Sequence, residues 1–127
     1  MKAYIGSDIM IWHLRGDYKT LNFLRRLRDS GEYELWTGAL QRAEVLFFMR
    51  RNEEEATLLF LSQFKTAPID QSIVDAAFLL YRQWHPTHGT DVNDAFLAAT
   101  AMQRRGRIFC LNRKHYPMPE VLVKKAW

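Results

Sequence analysis

Four carboxylates stand at positions from which they could converge: Asp8, Glu44, Asp91 and Asp94. Asp8 follows a short apolar segment, Glu44 lies inside an apolar one, and the other two begin an alanine-rich segment. Carboxylate oxygens are the ligands that hard divalent cations prefer, and a cation held by them can make hydroxide available near neutral pH. If the fold brings these side chains together, the set predicts metal-dependent hydrolysis.

Three of these acids also have ordinary structural explanations. Asp91 and Asp94 are three residues apart, the spacing of a helix N-cap and the third helical residue, where a negative charge is favoured. Asp8 could be a turn residue that hydrogen-bonds its own backbone. Only convergence in space would favour the chemical interpretation.

Glu44 is less easily explained, because its neighbours from Ala43 to Phe48 are mostly apolar. A carboxylate among apolar side chains costs free energy unless it finds a partner or a metal. The ordinary alternative is an ion pair with Arg42 or Arg51 at the helix surface.

Short apolar segments alternate with helical patterns along the chain, which predicts an α/β fold around a largely parallel sheet, in one domain over residues 1–127. The expected strands are Lys2–Ile5, Glu34–Thr37, Arg107–Leu111 and Val121–Val123; the expected helices are Lys19–Asp29, Ala39–Arg51, one capped by Asn52, one from Asp70 to about Trp84, and Val92–Arg105. The segment His85–Thr90 is expected to be a loop. In such a sheet, ligands bind beyond the carboxyl ends of the strands, where Asp8, Asp91, Asp94 and Asn112 are expected.

Composition limits the classes of function. The chain has 127 residues, a net charge of +4 and one cysteine, so an intramolecular disulfide and a site of several thiolates are excluded. The positive charge favours anionic partners such as nucleic acid. No apolar run is long enough to span a bilayer and Met1–Tyr4 does not begin a signal peptide, so we expect a cytoplasmic protein without a membrane partner.

Five segments, in order along the chain, resemble PIN-domain proteins of the VapC toxin type. The opening Tyr4–Gly16 resembles the family's first strand and its Leu-Arg-Gly ending, and Ala43–Val45 resembles its Ala-Glu-Leu segment. Asn93–Ala101 is similar to the family's Asp-Ala-Leu-Ile-Ala-Ala-Thr-Ala helix, which is the most specific match. Cys110–Pro117 and Val123–Trp127 resemble its last segments.

This resemblance implies a Mg²⁺- or Mn²⁺-dependent endoribonuclease, the toxin of a toxin–antitoxin pair, which forms a homodimer and binds a cognate antitoxin similar to VapB. Carried over by position, Glu44 and Asp94 would be metal ligands, directly or through water. Asn112 would take the place of a fourth polar residue that is aspartate in many relatives. Asp91 would either join the cluster or only cap its helix.

The sequence departs from the family at its first catalytic position, where Gly6 stands in place of an aspartate. Three interpretations remain open: a disabling substitution in the cloned chain, a natural member that binds antitoxin or RNA without cleaving, or a shifted site that uses Asp8. We expect the chain to turn before Asp8, so that this residue reaches the site only in part. The alternative to an enzyme is therefore a non-catalytic binding module, and a DNA-directed nuclease is a third possibility.

Basic and aromatic residues suggest the partner surfaces. Arg113, Lys114 and His115 follow the strand that ends at the expected site and are predicted to contact RNA phosphates. Trp12, His13 and Trp36 are candidates for an apolar groove that receives an antitoxin segment; core packing is the alternative for the two tryptophans.

Overall fold

A computed structural model describes residues 1–127, and five parallel strands form its single sheet. In sheet order the strands are β3, β2, β1, β4 and β5. Their bounds are β1 Lys2–Ile5, β2 Glu34–Gly38, β3 Lys65–Ala67, β4 Gly106–Cys110 and β5 Leu122–Lys125. The predicted α/β fold is confirmed. Strand β3 is not among the predicted strands; the sequence pattern favours an extended segment only over Ala67–Ile69, which overlaps β3 at Ala67.

Six helices cover the sheet: α1 Ser7–Leu14, α2 Tyr18–Asp29, α3 Ala39–Phe47, α4 Glu54–Leu61, α5 Gln71–His88 and α6 Val92–Arg104. Helices α5 and α6 pack together and contribute to one apolar cluster, whereas α1, α2 and α4 contribute to a second one. The alternation of β1 separates the clusters, because Tyr4 faces the first and its neighbours Ala3 and Ile5 face the second. None of the helices is long and apolar enough to cross a bilayer.

Helix α5 extends beyond the end that the sequence predicts. Helix α5 continues through the predicted loop to His88, with Pro86 in its last turn, and ends where Gly89 adopts a left-handed conformation with φ of 66°. The ring of Tyr81 stacks on that of His85, with centroids 4.5 Å apart. These residues are one helical turn apart, so their contact supports the helical conformation here. The expectation of a loop was wrong because glycine, rather than proline, ends this helix.

The segment after α3 also differs from the prediction. Helix α3 ends at Phe47, and a 3₁₀ turn over Arg51–Glu53 leads into α4, so Asn52 lies inside that turn and does not cap the helix. The backbone N–H of Arg50 donates to the Glu53 carboxylate at 3.0 Å instead.

The sheet order reverses at β1, since β2 and β3 follow on one side and β4 and β5 on the other. A crevice opens beyond the carboxyl ends of the strands at such a point, and it is the usual place for a ligand in an open α/β sheet. The segments after β1, β2 and β4 therefore supply the candidate site.

Candidate functional site

A polar cleft of about 200 Å³ lies at this edge of the sheet. We call it the acidic cleft; its lining residues are Ser7, Asp8, Gln41, Glu44, Asp91, Asn93, Asp94, Asn112, His115 and Tyr116. The four carboxylates singled out in the sequence are all among them, together with Asn112 and His115. The structure thus brings together residues that are up to 109 positions apart, from Ser7 to Tyr116.

Glu44 is half-buried on α3 and reaches into the cleft. Its Oε1 accepts a hydrogen bond of 2.8 Å from Nδ2 of Asn93, and its Oε2 accepts one of 3.4 Å from the Ser7 hydroxyl. Burial raises the pKa of Glu44, the charges of Asp91 and Asp8 raise it further, and these two hydrogen bonds lower it. No arginine or lysine forms an ion pair with Glu44, so the expected pairing with Arg42 or Arg51 is wrong.

Asp91 and Asp94 form a reciprocal capping box at the start of α6. Oδ1 of Asp91 accepts a bond of 2.7 Å from the backbone N–H of Asp94, and Oδ2 of Asp94 accepts one of 3.3 Å from the N–H of Asp91. The predicted cap is confirmed. Burial, followed by the nearby charge of Asp91, raises the pKa of Asp94 to about 7. Nδ1 of His115 lies 3.4 Å from Oδ2 of Asp94.

Asp8 lies in the first turn of α1, directly after the end of β1. Its Oδ1 accepts a bond of 2.8 Å from the N–H of Ile9, and its Oδ2 accepts one of 3.0 Å from the N–H of Leu111, beyond the end of β4. The chain turns after Ile5, as expected, but it enters a helix at Ser7, so Asp8 is a helical residue and not part of a loop. Gly6 is buried beneath this carboxylate.

Asn112 begins a 3₁₀ turn over Arg113–His115 that follows β4. Its Oδ1 accepts a bond of 3.1 Å from the N–H of Lys114, and its Nδ2 lies 3.3 Å from Nε2 of His115. The imidazole therefore lies between Asn112 and Asp94. Arg113 and Lys114 are exposed at the rim, and neither forms an ion pair.

Sequence reasoning missed four residues of the cleft: Ser7, Gln41, Asn93 and Tyr116. Asn93 and Gln41 tie α3 to α6, because Asn93 donates to Glu44 and the Gln41 amide donates at 3.0 Å to the carbonyl of Asn93. Gln41 lies three residues before Glu44, on the same side of a helix, and this spacing was the available signal. The pKa of Tyr116 is raised well above its usual value, first by burial and then by the charge of Asp94.

The three residues proposed to line one apolar groove do not do so. Trp36 packs against the cluster that contains Tyr4, whereas His13 stacks on Phe60, with ring centroids 4.3 Å apart, on the opposite face of the sheet. Trp12 is exposed. Cys110 is buried in the core, and burial raises its pKa to about 12.

The chemistry of the acidic cleft fits a hard divalent cation. Its donors are carboxylate oxygens, and two of the carboxylates have raised pKa values because they are buried near other negative charges. No three histidine, cysteine, aspartate or glutamate side chains are placed to hold a metal by themselves. Mg²⁺ commonly binds through only one or two carboxylates and completes its shell with water and substrate phosphate. Glu44 and Asp94 meet that smaller requirement.

Comparison with known proteins gives the family. The family model described as PIN domain matches residues 3–119. A chain of a toxin–antitoxin complex from Klebsiella pneumoniae has a similar structure, with a TM-score of 0.80, 20% identity and 98% of both chains covered. A chain of VapBC2 from Rickettsia felis, bound to a DNA fragment from the promoter, has a TM-score of 0.79, 16% identity and 98% coverage of both chains.

A third structure with the same fold is VapBC-1 from nontypeable Haemophilus influenzae, with a TM-score of 0.78, 15% identity, and 99% of this chain and 98% of that chain covered. No curated protein sequence matches the chain. The identities of these solved structures are too low to carry more than the fold, whereas the family match covers most of the sequence. The chain belongs to the PIN domain family.

Proposed function

We propose that this protein is a Mg²⁺- or Mn²⁺-dependent endoribonuclease that hydrolyses RNA phosphodiester bonds in the cytoplasm, as the toxin of a toxin–antitoxin pair. The observation that carries the proposal is the pairing of Glu44 and Asp94 in one cleft, both with raised pKa and neither paired with lysine or arginine. Two such carboxylates favour the arrival of positive charge, and a divalent cation supplies it.

Within this proposal, Glu44 and Asp94 would hold the cation. When bound there, a divalent cation lowers the pKa of water and offsets the charge that develops on a phosphate. Asn93 and Ser7 orient Glu44 through hydrogen bonds, and His115 lies within 3.4 Å of Asp94. Asp91 already accepts the N–H of Asp94, so we assign it to the helix cap in the first place.

RNA would approach over the turn that follows β4. Arg113 and Lys114 line a second cavity of about 540 Å³, and Tyr116 lines both that cavity and the acidic cleft. The two cavities are therefore neighbours, with the carboxylates in one and the cationic side chains beside the other. This arrangement supports the contact of Arg113, Lys114 and His115 with phosphates on one side of the cleaved bond.

An antitoxin would cover the apolar surface beside Glu44. Phe47 and Phe48, at the end of α3, are 79% and 84% exposed, and Leu59 of α4 is 69% exposed. Large exposed apolar side chains in one region are typical of an interaction surface. An adjoining cavity is lined by Ile11, Leu14, Arg15, Glu44, Val45, Phe48, Met49, Glu53 and Thr57. A segment seated there would lie directly beside the acidic cleft.

The homodimer would use α5. Its outer face exposes Val74, Phe78 and Leu79, whereas Ile73, Ala77 and Leu80 face the core. This apolar face is separate in sequence from the surface assigned to the antitoxin, so both partners can be tested independently.

Cleavage of a mixed single-stranded RNA tests the function. The wild-type chain is expected to cut in Mg²⁺ or Mn²⁺ and to stop in EDTA, and Glu44→Gln should lower the rate by about 100-fold, since it removes a charged ligand. Glu120→Gln, which changes an exposed acid outside the cleft, is the matched control. Arg113→Ala with Lys114→Ala should weaken RNA binding more than the chemical step. Single-stranded DNA in parallel separates a ribonuclease from a DNA-directed enzyme.

The alternative function is a PIN-fold module that binds antitoxin or RNA without cleavage, and Gly6 is the feature that favours it. Binding of RNA without cutting, by both the wild-type chain and variants with a carboxylate at position 6, would support that alternative.

A further inference from the structure

The side chain of Asp8 occupies the space that a side chain at position 6 would need. A Cβ on Gly6 would lie 2.9 Å from Oδ1 of Asp8, closer than carbon and oxygen atoms pack without a bond or hydrogen bond. The backbone of Gly6, with φ of −68° and ψ of 155°, is extended and open to any residue. A side chain at position 6 would therefore have to displace the Asp8 carboxylate, whereas the backbone conformation itself does not require glycine.

Backbone groups from two elements hold this carboxylate in place. The N–H of Ile9 in α1 donates to Oδ1 at 2.8 Å and the N–H of Leu111 beyond β4 donates to Oδ2 at 3.0 Å. An ionised carboxylate offers about four lone-pair sites, so each oxygen retains acceptor capacity after these bonds. Asp8 is thus fixed at the point where the sheet order reverses.

Asp8 shares the acidic cleft with the other carboxylates. It lines the cleft together with Glu44 and Asp94. Its carboxylate therefore adds negative charge to the same cleft.

We propose that Asp8 carries the carboxylate function that the family pattern places at position 6, so that the site of this chain is shifted by two residues and not deleted. The inference rests on the proposed function, because Asp8 would act through water on the same cation that Glu44 and Asp94 would hold. A side chain at position 6 would compete with the Asp8 carboxylate for its present position.

Mn²⁺ binding, measured as the loss of the free-ion electron paramagnetic resonance signal, tests the inference without relying on catalysis. The wild-type chain is expected to bind Mn²⁺, and Asp8→Asn should weaken binding at least tenfold. Asp17→Asn is the matched control, because Asp17 is an N-cap of α2 that also accepts a backbone N–H, and it lies outside the cleft. Thermal unfolding of each variant shows whether weaker Mn²⁺ binding is caused by the missing carboxylate or by a loss of folded protein.

A second pair of variants tests whether side chains at positions 6 and 8 compete for the same space. Gly6→Asp alone should lower the unfolding temperature, because its Cβ meets the Asp8 carboxylate, and should bind Mn²⁺ no better than the wild-type chain. Gly6→Asp combined with Asp8→Ser should recover both the stability and the Mn²⁺ affinity, because one carboxylate then occupies the space.

Two outcomes overturn the inference, and the first of them leaves the proposed function in place. In one, Asp8→Asn folds and binds Mn²⁺ as the wild-type chain does while Glu44→Gln does not bind. In the other, the wild-type chain fails to bind and Gly6→Asp binds, which would make glycine a disabling substitution. If none of the variants with a carboxylate at position 6 or 8 binds Mn²⁺ or cuts RNA, the inference and the proposed function both fail.

Discussion

At the scale of single residues, the cleft holds carboxylates close together in a partly buried position, which makes their ionised forms unfavourable. Asp94 has only 13% of its side chain exposed and faces the carboxylate of Asp91, and the only basic side chain within ion-pair distance is the imidazole of His115. Desolvation and a like charge both favour the protonated form, which is why its pKa rises to about 7. Arrangements of this kind are common at functional sites.

The pH dependence of stability follows from this shift. The unfolded chain ionises Asp94 near its ordinary pKa of 3.8, whereas the folded chain keeps the proton until about pH 7. The folded state therefore binds more protons between these values, and Asp94 makes the protein progressively less stable as the pH rises from about 4 to about 7. Asp94→Asn should gain stability relative to the wild-type chain over that range.

Urea unfolding in EDTA at pH 4.5 and pH 7.5 measures the effect, with Asp75→Asn as the control because Asp75 is an exposed aspartate outside the cleft. The prediction concerns the difference between variant and wild type, which cancels the titration of other groups. A difference that is equal at both pH values would contradict the raised pKa of Asp94.

At the scale of elements, the first turn of α6 performs two tasks. Asp91 and Asp94 satisfy each other's backbone N–H groups, and Asn93 between them donates to Glu44 of α3. One helical turn thus supplies its own cap and orients a carboxylate on another helix. The cap is formed by the groups that give the cleft its charge, so a substitution there changes both stability and electrostatics.

Asp91→Asn and Asp91→Ala separate these tasks. Both remove the charge, but asparagine retains an N-cap acceptor and alanine does not, so the alanine variant should be less stable by about 1 kcal/mol. Urea unfolding at one pH measures this difference. If Asp91 serves only as a cap, Asp91→Asn retains Mn²⁺ binding; loss of binding in that variant would make Asp91 a ligand as well.

At the scale of the whole molecule, the chain combines a net charge of +4 with a cleft of concentrated negative charge. The overall charge attracts a polyanion, whereas the cleft repels its phosphates until a cation is present. Two apolar surfaces are separate in sequence: one at the end of α3, beside the cleft, and one on the outer face of α5. Their separation allows one partner of each kind at the same time.

Light scattering after gel filtration tests the proposed homodimer and the surface that would form it. The wild-type chain should have twice the mass of one chain, and Phe78→Glu should convert it to a monomer, because a charge on α5 would have to be buried without a partner. Phe48→Glu is the matched control, since Phe48 is an exposed aromatic residue on the other surface, and it should remain a dimer. A dimer that is lost only in Phe48→Glu would exchange the two assignments.

Local sequence patterns predicted most of the elements in their order and the caps of α5 and α6, but they missed strand β3 and wrongly placed a cap at Asn52. Strand β1, the cap at Asp70 with its 3.0 Å bond from the N–H of Ile73, and the capping box of α6 depend on neighbouring residues, so the local pattern predicts them. The acids Asp8, Glu44 and Asp94 could be selected as well, because the carboxyl ends of parallel strands share one edge and because Glu44 stands in an apolar segment.

Only the tertiary structure decided which hydrogen bonds and packing contacts join those residues. The bond from Asn93 to Glu44 joins side chains 49 positions apart, and the bond from Leu111 to Asp8 spans 103 positions, so neither appears in any local pattern. The sequence revealed that an aspartate is absent at position 6 without indicating what fills its place. The space next to Gly6 is filled because α1 packs against the end of β4 and brings the Asp8 carboxylate over Gly6. In a close-packed interior, contacts between residues distant in sequence determine which side chain fills a given space.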